Sequence, residues 1–137
     1  MTDGLGAGSI LVSDLVEDEV VTVPPEANLV DVAETLLDDN IGAVVVGSGG
    51  TVTGILSERD VVRAVAEGRD PVSTLAGDIA SSPLIWCDAD ATVAEVAAQM
   101  MTRYVRHVLV ESEGALVGIV SARDLLGVYG TAEPEGD

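Results

Sequence analysis

GILSERD at residues 54–60 and GIVSARD at residues 118–124 share one plan: an apolar run stops at a Ser, and an Asp follows three residues later. Aliphatic residues that end on Ser-x-x-Asp describe a strand running directly into a capped helix. The hydroxyl and the carboxylate satisfy N–H groups that the first helical turn leaves without partners. The two copies lie 64 residues apart, and the chain repeats at that interval without a gap from Val12 to Leu126. Asp14 falls on Asp78, Ala27 on Ala91, Val32 on Val96, Val44 on Val108, Gly50 on Gly114 and Gly54 on Gly118. Conservative pairs such as Val21 with Ile85 and Leu36 with Met100 fill much of the rest. A fixed period of this length marks an internal duplication.

Working outward from the Ser-x-x-Asp step gives the rest of each unit. Upstream lies a hairpin: AVVV (43–46), GSGG (47–50) and TVTGIL (51–56) in the first copy, HVLV (107–110), ESEG (111–114) and ALVGIV (115–120) in the second. Continuous Val/Ile/Leu runs joined by Gly-containing turns read as largely buried strands. Before each hairpin stands a helix with an apolar stripe: Leu29, Val32, Ala33, Leu36, Leu37 and Val93, Val96, Ala97, Met100, Met101. Asn28 and Thr92 stand at its N-cap, and T-V-A-E at 92–95 forms a capping box. A short strand opens each unit, VVTV (20–23) and LIWC (84–87), and the last helix runs from Ser57 to near Gly68 and from Ser121 to about Gly130. The order is β-α-β-β-α, twice, an α+β fold. One unit is too small to bury both faces of its sheet alone. The expectation is two repeats related by a pseudo-two-fold axis, packed through their sheets, with two equivalent clefts between them. By sequence, 1–8 is a flexible tail, 9–68 the first repeat, 69–130 a linker and the second repeat, and 131–137 a flexible acidic tail.

Composition narrows the function classes. Twenty-four acidic residues face six Arg and no Lys, a net charge of -18 on 137 residues. Such a chain repels nucleic acid and anionic membrane. It also repels itself unless salt screens it, so the composition fits a salt-rich cytosol and predicts a melting temperature that rises with KCl. A melting temperature independent of KCl would remove that reading. There is no basic-then-apolar leader and no apolar run of membrane-spanning length, so a cytoplasmic protein is expected. Cys87 is single and reads as a small buried hydrophobe. No nucleophile–base pair, metal-ligand cluster or phosphate-cradling Gly loop stands in the sequence, so neither enzyme nor metal site is expected.

The repeat order, the Asp14-Leu15 and Asp78-Ile79 starts, the IGA and VRH steps before the middle strands, and the two G-h-x-S-x-R-D ends together resemble a tandem pair of CBS domains, a Bateman module, over about residues 12–130. The resemblance implies a non-catalytic regulatory module that binds adenine nucleotides (AMP, ADP or ATP) as regulatory ligands. It implies a homodimer in which helices supply the contact, and an unknown regulated protein. S-adenosylmethionine or another adenosyl ligand is one alternative, and an interaction module with no ligand is another. Carried over position by position, Ser57 and Asp60, and Ser121 and Asp124, would hold the phosphate side and the ribose hydroxyls. Gly42-Ala43 and Arg106-His107 would stand at the phosphates, and Thr22-Val23 and Trp86-Cys87 near the adenine. Arg59 and Arg123, within the repeated motif, would offset the repulsion of an anionic ligand. This chain departs from its relatives in two ways. Val45 and Leu109 stand where relatives often carry Pro, and the basic pair Arg106-His107 is matched by Gly42-Ala43 in the other copy.

Each assignment also has a plain structural reading. Ser and Asp at this spacing cap a helix whether or not a ligand binds. The arginines can serve as surface ion pairs, with Glu58 as one neighbour. His107 can be a packed polar residue and Trp86 a core aromatic. Capping and ligand binding are compatible, since a helix N-terminus also favours phosphate.

Overall fold

The computed structural model describes residues 10–16, 20–80 and 84–132, with side chains through residue 127. The described residues fall into two compact units: Val20–Leu84, and the N-terminal segment together with the chain from Ile85 onward. Each is built around one three-stranded sheet.

In the first unit β1 (Thr22–Val23) pairs in parallel with β2 (Ala43–Ser48), which pairs antiparallel with β3 (Thr51–Ser57). Helix α1 (Leu29–Asp39) makes the crossover between β1 and β2, α2 (Glu58–Ala66) follows β3, and a short α3 spans Ala76–Ile79. The second unit repeats the plan with β4 (Trp86–Asp88), α4 (Val93–Arg103), β5 (His107–Ser112), β6 (Ala115–Ser121) and α5 (Ala122–Ala132). The expected β-α-β-β-α order therefore stands in both copies. The hairpin turns at Gly49-Gly50 and Glu113-Gly114 each carry two positive φ values, the condition of the type I′ turn that suits the twist of a two-residue hairpin. Helix α5 continues through Ala132, two residues into the stretch read as a tail. The tails expected at 1–8 and from 133 onward lie outside the described residues.

The cores are aliphatic, as the composition requires. Val23, Leu29, Val32, Leu36, Val44, Val46 and Leu56 cluster with Ala64 and Ala76 in the first unit. Val12, Ile85, Cys87, Val93, Val96, Met100, Val108, Val110, Val120 and Leu125 cluster in the second. Burying each Val or Leu contributes about 1.5–3 kcal/mol before chain entropy is counted. The helical stripe is narrower than the sequence predicts. Leu37 and Met101 are 78% and 77% exposed, whereas their neighbours Leu36 and Met100 are buried. One step of about 100° along a helix carries a side chain off a face that a thin sheet covers.

The segments that precede the repeats are exchanged in packing. Val12 N–H donates to the Ala91 carbonyl and Val93 N–H to the Ile10 carbonyl, both at 2.8 Å, which seats the N-terminal segment on the second unit. At the same interval, Ala76 N–H donates to the Ala27 carbonyl at 2.7 Å and Leu29 N–H to the Thr74 carbonyl at 3.1 Å. The stretch read as a linker is thus an ordered part of the first unit. Asp70 shapes it by accepting the Val72 N–H on Oδ1 at 3.0 Å. On the second unit Val16 packs against Gly118, where an added Cβ would lie 2.6 Å from the Val16 Cβ.

Candidate functional site

Each Ser-x-x-Asp step is the junction of the last strand with the last helix. In the first unit Ser57 is the N-cap of α2: its Oγ accepts the Asp60 N–H at 3.2 Å, and Asp60 Oδ2 accepts the Ser57 N–H at 2.8 Å. In the second, Ser121 Oγ accepts the Asp124 N–H at 3.0 Å and Asp124 Oδ2 accepts the Ser121 N–H at 2.9 Å. The capping reading is therefore met twice.

Strand pairing brings the start of the middle strand to the same place. Ala43 lies opposite Ser57, and His107 opposite Ser121. Glu58 N–H donates to the Gly42 carbonyl at 2.9 Å, and Ala122 N–H to the Arg106 carbonyl at 2.8 Å. Gly42, Ala43, Ser57, Arg59 and Asp60 thus form one backbone-fixed group, and Arg106, His107, Ser121, Arg123 and Asp124 form its counterpart. Thr22-Val23 and Trp86 lie farther off, one strand over and along the middle strand, paired with Val45-Val46 and Leu109. Arg59, Arg106 and Arg123 are exposed, and His107 and Trp86 are half-buried.

The two groups differ in how far they satisfy themselves. Ser57 is 8% exposed and also donates its hydroxyl to Asp60 Oδ2 at 3.0 Å. Asp60 Oδ1 meets Arg63 Nη1 at 3.8 Å across a side chain pair that is 16% and 58% exposed. Both Asp60 oxygens are thereby engaged. The residue 64 places after Arg63 is Gly127, so the second copy lacks this guanidinium. Asp124 is exposed, and the ion pair among the described residues is Arg63–Asp60. A pairing of Arg59 with Glu58 gives way to this i,i+3 contact, which the spacing Asp60–Arg63 made readable. Gln99 was also missed: its Nε2 donates to the Trp86 carbonyl at 3.2 Å and holds the backbone of β4. Its counterpart Thr35 instead caps back onto the Asp31 carbonyl, so the duplication gave no signal for it.

Cys87 is buried, and burial, followed by the negative charges of Asp88 and Glu111, pushes its thiol up to about 11. A thiol held neutral is a poor nucleophile and a poor metal ligand. Among the described residues no cluster of three or more His, Cys, Asp or Glu is placed to hold a metal ion. No helix among them is long and apolar enough to cross a membrane.

A unit in which a strand pair and a capped helix converge, built twice by duplication, defines the class: a tandem α+β module with two homologous strand–helix joints. Residues 12–67 and 76–130 each match the family model of the CBS domain, and the chain belongs to the CBS-domain family as a CBS pair. An uncharacterized protein of Methanopyrus kandleri is 33% identical over 123 residues, covering 88% of this chain; the chain spans 63% of that relative's length. Among solved structures, a CBS-domain containing protein from Agrobacterium tumefaciens is 34% identical with a TM-score of 0.76, covering 87% of this chain and 92% of that one. A CBS domain protein from Pyrobaculum aerophilum, solved in complex with AMP, is 31% identical with a TM-score of 0.73, covering 88% of this chain and 99% of that one.

Proposed function

We propose that this CBS pair is a non-catalytic regulatory module that binds an adenine nucleotide and passes its occupancy to a partner protein. The carrying observation is the backbone-fixed convergence of Arg106, His107, Ser121, Arg123 and Asp124 at the start of β5 and α5. An exposed carboxylate suits paired ribose hydroxyls, since an ionised Asp is an acceptor only. Guanidinium groups beside a helix N-terminus suit phosphate. In a chain of net charge -18, cations kept at this joint offset the repulsion that an anionic ligand meets elsewhere. The AMP complex of the Pyrobaculum protein supports the choice of ligand. Regulation then follows by differential affinity: a nucleotide that contacts one arrangement of the module better than another shifts the population between them.

Calorimetric titration with AMP, ATP and S-adenosylmethionine in concentrated KCl tests the reading. AMP or ATP is expected to bind. Binding of S-adenosylmethionine alone would make this an adenosyl module for a cationic ligand, and heat from none of the three would overturn the nucleotide reading. Asp124→Ala is expected to weaken AMP binding more than it lowers stability. Equal losses would reduce Asp124 to a helix cap.

A further inference from the structure

The duplication invites the assumption of two equal nucleotide sites. The charges and hydrogen bonds at the two joints differ in ways that matter for an anion. The first joint carries Glu58, Arg59, Asp60 and Arg63, two acids and two cations, with Asp60 and Arg63 paired. The second carries two cations, Arg106 and Arg123, against the single acid Asp124, with His107 next to Arg106 in the chain. Four changes at the fixed interval account for this: Gly42 to Arg106, Ala43 to His107, Glu58 to Ala122 and Arg63 to Gly127.

Their positions make them a set. Gly42 and Arg106 occupy the same place, with the carbonyl bonded to the first N–H of the following helix. An added Cβ at Gly42 would lie 3.9 Å from Glu58 Oε1. At the first joint an acid thus sits where the second joint brings a guanidinium-bearing residue against Ala122. The carboxylates follow suit. Asp60 Oδ2 holds the Ser57 N–H and hydroxyl and Oδ1 faces Arg63, whereas Asp124 Oδ2 holds the Ser121 N–H and the exposed carboxylate has no guanidinium partner among the described residues. The helix N-terminus is common to both joints and so decides nothing between them.

We infer that the two half-sites are unequal by construction: the second, at Arg106 and Ser121–Asp124, takes the phosphate-bearing ligand, and the first, at Gly42 and Ser57–Arg63, does not. The inference rests on the nucleotide reading above and adds stoichiometry and location to it. The first joint spends its hydroxyl, carboxylate and nearest cation on one another. A phosphate brought there would meet Glu58 and would have to compete for a guanidinium already facing Asp60. Its Ser and Asp are kept by the helix they cap.

Titration of the whole chain with AMP in concentrated KCl, alongside two exchange variants, tests this. The wild-type chain is expected to bind a single AMP. Arg106→Gly with Ala122→Glu, which gives the second joint the character of the first, is expected to lower AMP affinity by about tenfold or more, the scale of a lost charge-assisted hydrogen bond. Gly42→Arg with Glu58→Ala and Arg63→Ala, the reverse exchange with the Arg63–Asp60 pair removed, is expected to add a second AMP; Gly42 has room for a side chain, since its nearest added contact is at ordinary van der Waals distance. Thermal unfolding checks that both variants fold. Two AMP per wild-type chain would overturn the inequality and leave the nucleotide reading standing. One AMP, with affinity unmoved by Arg106→Gly and Ala122→Glu, would also overturn it. No AMP binding to the wild-type chain would overturn both.

Discussion

The two Ser-x-x-Asp joints share a backbone and differ in what surrounds it. Both have the same strand pairing, the same bond from the first helical N–H to the preceding strand start, and the same reciprocal Ser–Asp cap. The first is drawn inward and its Asp60 meets Arg63; the second is more exposed and carries Arg106 at its strand start in place of Gly42. Duplication preserves the backbone of the joint while the side chains at its strand start, at the first helical position and one helical turn beyond Ser-x-x-Asp differ in charge. Capping is the demand both joints share, because each helix leaves N–H groups of its first turn to be satisfied.

The sharpest break in the comparison lies beneath the joints, where the units should behave alike. Leu36→Ala in the first unit and Met100→Ala in the second are each expected to cost about 2–5 kcal/mol, the range for truncating a buried Leu or Met. The adjacent Leu37→Ala and Met101→Ala are each expected to stay within about 0.5 kcal/mol. Denaturant unfolding measures all four. A large loss at Leu37 or Met101 would mean that these exposed positions are covered in solution.

A smaller effect tests the exchanged segments. Gly118→Ala places a methyl against Val16 and is expected to cost about 1–3 kcal/mol by overpacking. Val16→Gly in the same chain should recover part of that loss, because the closest atom to the added methyl is the Val16 Cβ. Independent, additive effects would deny that the N-terminal segment sits on the second unit.

The caps come next. Ser57→Ala and Ser121→Ala each remove an N-cap acceptor worth about 0.5–2 kcal/mol. Ser57 is expected at the upper end, since it is buried and its hydroxyl also donates to Asp60. Ser121 is expected at the lower end, with its main effect on AMP affinity. The reverse ranking in thermal melts would contradict the closed-and-open distinction.

The smallest effect concerns pH. Cys87 replaces the Val23 of the first unit, and its folded thiol is raised from an ordinary value of 9.0 to about 11. The unfolded chain loses this proton first, so its deprotonation pulls on unfolding. Stability should therefore be insensitive to this group below about pH 9 and fall as pH rises from there through about 11. Cys87→Val should flatten the alkaline limb; an unchanged limb would assign it to other groups.

Much of this was legible in the sequence. The 64-residue period gave the element order of both units, and the Ser-x-x-Asp and Thr-x-x-Glu spacings gave the caps, because capping depends on local backbone geometry alone. Helical periodicity gave Leu29, Val32 and Leu36 correctly and extended the stripe too far at Leu37, because period says where a side chain points and not how wide its cover is. The stretch GRDPVSTLAG at 68–77 reads as a linker in the sequence, since its structure comes from bonds to Ala27 and Leu29, far away in the chain. The Ser, Asp and strand-start residues of the two joints stand in the repeat itself, whereas Arg63 and Gln99 carry no mark there, because Gly127 and Thr35 occupy the matching positions. The inequality of the joints was visible as the unmatched Arg106-His107 pair, while the closing of Asp60 by Arg63 needed the helix to bring the two together.

The most direct test of the central claim is residue-resolved NMR of the labelled chain titrated with AMP in concentrated KCl. Saturable amide shifts are expected at Arg106, His107 and Ser121–Asp124, with the amides of Gly42, Ala43 and Ser57–Asp60 moving far less. Equal shifts at both joints, or shifts at the first joint alone, would contradict that claim.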